Sequence, residues 1–142
     1  MDVKELVKKA LRARAGAYAP VTGFKVGSAL LAKNGKIYTG CNIENAALTP
    51  TSCAERTAFF KAVSEGEREF EAIAIAGGYE DQPADHCPPC GVCRQVMAEF
   101  CTADFAVITA RSEEDYKIGT LGALLPEAFG PGILKKDGGC PE

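Results

Sequence analysis

Near the start of the chain, apolar side chains recur at Val3, Leu6, Val7, Ala10 and Leu11. That i, i+3, i+4, i+7, i+8 spacing lines one face of a helix. Asp2 can cap its first turn and Gly16 can end it. The period then changes. Residues Phe24 to Ala32 are mostly apolar or small and predict a buried strand. Asn34-Gly35 is a tight-turn signal, after which Lys36 to Cys41 returns as an antiparallel partner. A helical period resumes from about Cys53 to Glu65, with Ala54, Ala58, Phe59, Ala62 and Val63 facing inward and Gly66 as the stop. Glu71 to Ala76 predicts a strand, followed by a polar loop with Gly77, Gly78 and three prolines. A third helix is predicted over Gly91 to Phe100, with Val92, Val96, Met97 and Phe100 inward, and a further strand over Phe105 to Thr109. An extended piece near Lys117 and a helical turn around Leu121 to Leu125 follow. The Gly- and Pro-rich tail from Gly130 is expected to be loose at its end.

Helix, hairpin, helix, strand, helix, strand is an α/β order. Its strand–helix–strand units predict parallel neighbours joined by right-handed crossovers, in a layered sandwich with a mixed sheet. The length of 142 residues suits one domain. Hydrophobic residues at 46% and charged residues at 25% exclude a disordered or collagen-like chain. The net charge of -3, without a basic stripe, argues against a nucleic-acid polymer as partner. No apolar run approaches the ~20 residues that a membrane span needs. Met1-Asp2-Val3-Lys4-Glu5 lacks the apolar core of a signal peptide, so the expected location is the cytoplasm.

The seven cysteines change this bland picture. An odd count in a reducing compartment favours metal binding or catalysis over disulfides. Thr51-Ser-Cys-Ala-Glu-Arg56 and Pro89-Cys-Gly-Val-Cys-Arg-Gln95 each put cysteine at the first turn of a predicted helix. Free N–H groups and partial positive charge there favour the thiolate, which is the metal-binding form. Cys90 and Cys93 share one helix face, and with Cys53 they make three soft ligands for a zinc with an open fourth position. Glu55 sits in the same first turn as Cys53, within reach of a water on such a metal. Singly, each residue has another use. Cys53 fits a small buried hydrophobe, Glu55 a first-turn acid, and Cys-x-x-Cys a redox pair or half of a structural zinc site. Together, two such motifs opening two helices between strands point to one centre. Cys87 extends the second motif to Cys-x-x-Cys-x-x-Cys, which leaves open a fourth ligand, a structural zinc or an iron–sulfur cluster.

With these motifs the sequence resembles the small cytidine deaminases. Zinc deaminases combine three cysteines, or a histidine and two cysteines, with a glutamate acting as general acid and base. The resemblance runs from about Ala15 to Gly130 and includes Tyr18-Ala-Pro20, Phe24-Lys-Val-Gly27, Gly40-Cys-Asn-Ile-Glu-Asn-Ala46 and Leu124-Leu-Pro-Glu-Ala-Phe129. It implies a three-layer α/β/α sandwich with a mixed five-stranded sheet, forming a single catalytic domain over residues 1–142. It implies one Zn2+ per chain on Cys53, Cys90 and Cys93. Glu55 would move protons between water, N3 of a pyrimidine and the departing amine. Asn42 and Glu44 would bind the ribose 3′-hydroxyl, Phe24 would pack on the base, and Ala54 would also touch substrate. Phe129 would reach the base from a neighbouring subunit of a homotetramer. Arg56 would hydrogen-bond cysteine sulfur and offset the charge of three thiolates. The implied role is hydrolysis of free cytidine and deoxycytidine in pyrimidine salvage. Family members often carry Pro-Tyr-Ser where this chain has Pro20-Val21-Thr22, and tyrosine where it has Leu48. Those departures leave open a modified cytidine or a nucleoside-like antibiotic as substrate.

Overall fold

The computed structural model describes residues 1–134. The elements in order are α1 (Val3–Arg14), β1 (Phe24–Ala32), β2 (Ile37–Cys41), α2 (Ala54–Ser64), β3 (Phe70–Tyr79), α3 (Gly91–Phe100), β4 (Ala106–Ala110), β5 (Tyr116–Thr120) and the short α4 (Leu121–Leu124), with a 3-10 turn at Pro131–Ile133. The strands form one sheet in the order β2-β1-β3-β4-β5. Only β3 and β4 pair in parallel; the other neighbours are antiparallel. The sheet is therefore mixed and five-stranded, as expected. One expectation fails. β2 and β3, the ends of a strand–helix–strand unit, are not neighbours, because β1 lies between them. β2 pairs with one edge of β1 and β3 with the other, so the connection through α2 crosses over β1.

Strand alternation divides the core in two. On one face Ala29, Ala72, Ala74, Ile108 and Ala110 meet Leu6, Val7 and Ala10 of α1. On the other Val26, Leu30, Ile73, Ile75 and Val107 meet Ala54, Ala58, Phe59 and Ala62 of α2, with Cys93 and Met97 of α3. This gives the three-layer α/β/α arrangement. Asp2 caps α1 by accepting from the Glu5 amide, but the helix closes at Arg14 before reaching Gly16. In α3 the inward stripe is Cys93, Val96, Met97 and Phe100, at helical spacing. Val92, expected inward, is exposed. Cys93 occupies the core-facing position, and one residue back around the helix points Val92 outward.

β3 also runs further than expected, through Gly77 and Gly78 to Tyr79. These glycines do not break the strand. They pair with Val26 and Lys25 of β1, and they make room for the returning loop. A Cβ on Gly77 would lie 2.9 Å from Cys87 Sγ. The tail expected to be loose, and Cys140 within it, lie outside the described residues beyond residue 134. Among the described residues no helix is long and apolar enough to cross a membrane.

The start of α2 is set against the hairpin by two contacts. Ser28 of β1, fully buried, donates to the Ala54 carbonyl at 2.8 Å. Gly40 of β2 has no side chain to hold the helix off. A Cβ there would lie 2.4 Å from the Ala54 carbonyl oxygen and 2.6 Å from the Ala58 amide nitrogen. Both are backbone atoms that cannot swing aside. Gly40→Ala should therefore lower the thermal midpoint, at a cost in the upper part of the ~1–3 kcal/mol that overpacking brings. An unchanged melting curve would show that α2 can move away freely.

Candidate active site

The first turns of α2 and α3 stand side by side. Cys53 and Cys90 occupy the two N-cap positions in extended conformation, and neither side chain caps the backbone amides of its own helix. Both sulfurs are thus free to point at each other. Cys93 lies in the first turn of α3, nearly inaccessible to solvent. The three sulfurs all fall within 4.8 Å of one another. Cys53 and Cys90 are 3.7 Å apart, and Cys90 and Cys93 are 3.5 Å apart. These gaps exceed the ~2.05 Å of a disulfide, and all three thiols are free.

The donor set fits a zinc ion. Three soft ligands converge at two positive helix ends and leave room for a fourth. The titration behaviour points the same way. The hydrogen bond between Cys93 and Cys53 pulls the Cys53 pKa down and pushes that of Cys93 up. Without a cation one thiolate suppresses its neighbour; a cation is what allows three thiolates together. Arg56 supplies part of the positive charge. Its Nη2 donates to Cys53 Sγ at 3.3 Å, while its buried Nε has no partner among the described residues. The guanidinium pKa rises, chiefly through that bond to Cys53.

Glu55 is the second residue of α2 and only 4% exposed. Burial, helped by the Cys53 thiolate, pushes its carboxyl up to about 7. A carboxyl poised near neutral pH can both accept and return a proton. Cys87 stands outside the three-sulfur group among the described residues. Burial first, then the nearby negative groups, push its thiol up to about 11, so at neutral pH it remains a thiol. The closed four-cysteine arrangement left open by its spacing is not what the fold builds.

Beside the cluster lies a cavity of about 440 Å³. It gathers Phe24, Asn42, Glu44, Cys53, Ala54, Glu55 and Cys90 from positions far apart in the chain. Asn42 and Glu44 follow β2 and are each 8% exposed. Asn42 is held by β1: its Oδ1 accepts from the Val26 amide and its Nδ2 donates to the Phe24 carbonyl, both at 2.8 Å. The Glu44 carboxyl is pulled below its usual range, mainly by a hydrogen bond from the Thr22 hydroxyl. Among the described residues, none of those lining the cavity is lysine or arginine.

The structure does not bring Phe129 into this cavity. The residue is 54% exposed, and its carbonyl accepts from Gln95 Nε2 at 2.8 Å. Leu48 and Val21 are exposed and do not line the cavity, whereas Thr22 does. Tyr79 was missed by sequence reasoning. It lines the cavity and packs edge-on against Phe24, with centroids 5.3 Å apart. The signal was available: extending β3 through its glycines puts Tyr79 opposite Phe24 in the ladder.

Known proteins resemble this chain in sequence and fold. Residues 1–109 match the family described as the cytidine and deoxycytidylate deaminase zinc-binding region. The cytidine deaminase of Sporosarcina psychrophila is 50% identical over 129 residues, covering 91% of this chain and 92% of that protein. That of Halalkalibacterium halodurans is also 50% identical over 129 residues, covering 91% and 95%. The crystal structure of cytidine deaminase from Burkholderia pseudomallei superposes with a TM-score of 0.80 at 43% identity, over 88% of this chain and 97% of that one. The zinc-binding deaminase region and the α/β fold are thus shared with these proteins. The chain belongs to the cytidine and deoxycytidylate deaminase family, and its cofactor is one Zn2+ per chain.

Proposed function

We propose that this protein hydrolyses cytidine and deoxycytidine to uridine and deoxyuridine with release of ammonia, as one catalytic domain serving pyrimidine salvage. The observation that carries this reading is the buried Glu55 carboxyl, pushed up to about 7, sharing one cavity with three converging thiols. Cys53, Cys90 and Cys93 would hold zinc, which would supply a water of lowered pKa at neutral pH. Glu55 takes a proton from the attacking water and gives it to N3 of the pyrimidine as the water oxygen adds to C4. It then carries the second proton to the amine, and the C4–N bond breaks. Water enters and ammonia leaves, so Glu55 ends as it began. Arg56 withdraws charge from Cys53 and keeps the centre electrophilic. Phe24, held against Tyr79, packs on the base, and Ala54 borders it.

The substrate is a free nucleoside. A cavity whose sugar end carries the Glu44 carboxylate, and whose lining among the described residues holds no cation, disfavours a phosphate. The free thiols among the described cysteines suit the reducing cytoplasm. The exposed Phe129, anchored through its backbone to α3, suits a homotetramer in which it roofs a neighbour's pocket.

Glu55→Gln tests the chemistry. It should keep zinc and fold while turnover falls by at least the ~10²- to 10⁴-fold that a general acid–base group contributes. A variant retaining more than about a tenth of the rate would refute the assignment. Phe129→Ala tests the assembly. It should raise KM for cytidine with little change in the thermal midpoint, and light scattering of the parent protein should give four chains. A fully active monomer would contradict the shared pocket.

A further inference from the structure

Counting hydrogen bonds at the sugar end of the cavity leaves a specific residue in charge of it. Glu44 has two oxygens, each able to accept about two hydrogen bonds. Oε1 already accepts from the Val21 amide at 2.8 Å and the Thr22 amide at 3.1 Å. Oε2 accepts from the Thr22 hydroxyl at 2.5 Å. One acceptor position on Oε2 remains. Asn42 accepts from the Val26 amide at one of the two acceptor positions of its Oδ1 and donates one N–H to the Phe24 carbonyl, which leaves one acceptor position and one N–H among the described residues. The open groups thus include the Glu44 acceptor and the Asn42 N–H, the pair that a single hydroxyl requires.

Thr22 holds this pair in register. Its hydroxyl has one proton, spent on Glu44 Oε2, and its oxygen accepts from the Phe24 amide at 3.0 Å. Phe24 is therefore held at both backbone ends, by Thr22 through its N–H and by Asn42 through its carbonyl. One hydroxyl ties the acid at the sugar end to the ring beside the base. The turn that presents it is built for the purpose. Gly23 follows with φ +72, a conformation disfavoured for other residues, and its amide returns to the Ala19 carbonyl at 2.9 Å.

We propose that Thr22 is the positioning residue of the sugar subsite. By fixing Glu44 Oε2 it leaves that carboxylate a single acceptor, aimed with Asn42 at one ribose hydroxyl, and it keeps Phe24 in step with them. This rests on the nucleoside reading given above. The lowered pKa of Glu44, whose leading cause is the Thr22 hydroxyl, supports it.

Thr22→Val and Thr22→Ala differ in bulk but both lack the hydroxyl; Thr22→Ser restores it. Each would be assayed on cytidine and 3′-deoxycytidine beside Glu44→Ala. The hydroxyl-free variants should lose kcat/KM on cytidine on the order of ten- to a hundredfold, the range for a hydrogen bond to a charged group. The loss should sit in KM, shrink to less than about threefold on 3′-deoxycytidine, and be repaired by Thr22→Ser. Equal losses on both substrates, or no loss on cytidine, would overturn the proposal if Glu44→Ala itself discriminates between them. If Glu44→Ala also loses equally on both, the nucleoside-sugar reading falls, and the role of Thr22 with it.

Discussion

Three thiolates gathered within 4.8 Å repel one another strongly unless positive charge faces them. Everything near the centre answers that constraint. The amide groups of two helix starts point at the cluster, since Cys53 caps α2 and Cys90 caps α3. Arg56 adds a full charge at 3.3 Å from Cys53 Sγ. A divalent ion completes the balance, and the affinity for it follows from how closely the fold brings the two helices together. The same negative neighbourhood, together with burial, lifts the Glu55 carboxyl toward neutrality. The proton carrier and the metal site are thus two consequences of one electrostatic arrangement.

The sheet makes that arrangement rigid. Ser28 and Gly40 draw the first turn of α2 onto β1 and β2 through the Ala54 carbonyl. Gly77 lets Cys87, and with it the loop leading to α3, press against β3. Small residues therefore act at the places where large distances in sequence must become short distances in space. The cavity walls use the same economy. Thr22, in the turn before β1, and Asn42, just after β2, hold Phe24 by its own backbone at the start of β1.

Much of this was visible in the sequence. The helical stripe at Val3 to Leu11, the hairpin at Asn34-Gly35 and the two cysteine motifs each carried a physical signal strong enough to place them. The five-stranded mixed sheet also followed, although not the insertion of β1 between β2 and β3. Strand order depends on which edges are already occupied, and local pattern does not encode that. Gly77-Gly78 was misread because glycine marks both a turn and a close approach, and only the packed structure tells which. Val92 was misread because Cys93, counted as a ligand, was not also counted as core. Tyr79 and the hydroxyl of Thr22 escaped because their partners lie far away in sequence.

The most direct test of the central claim is zinc-edge X-ray absorption on the purified protein. Three sulfur neighbours at roughly 2.3 Å with one oxygen at about 2.0 Å would match a centre built from Cys53, Cys90 and Cys93 with an open position. Four sulfur neighbours and no oxygen would contradict it, because Cys87 would then close the site.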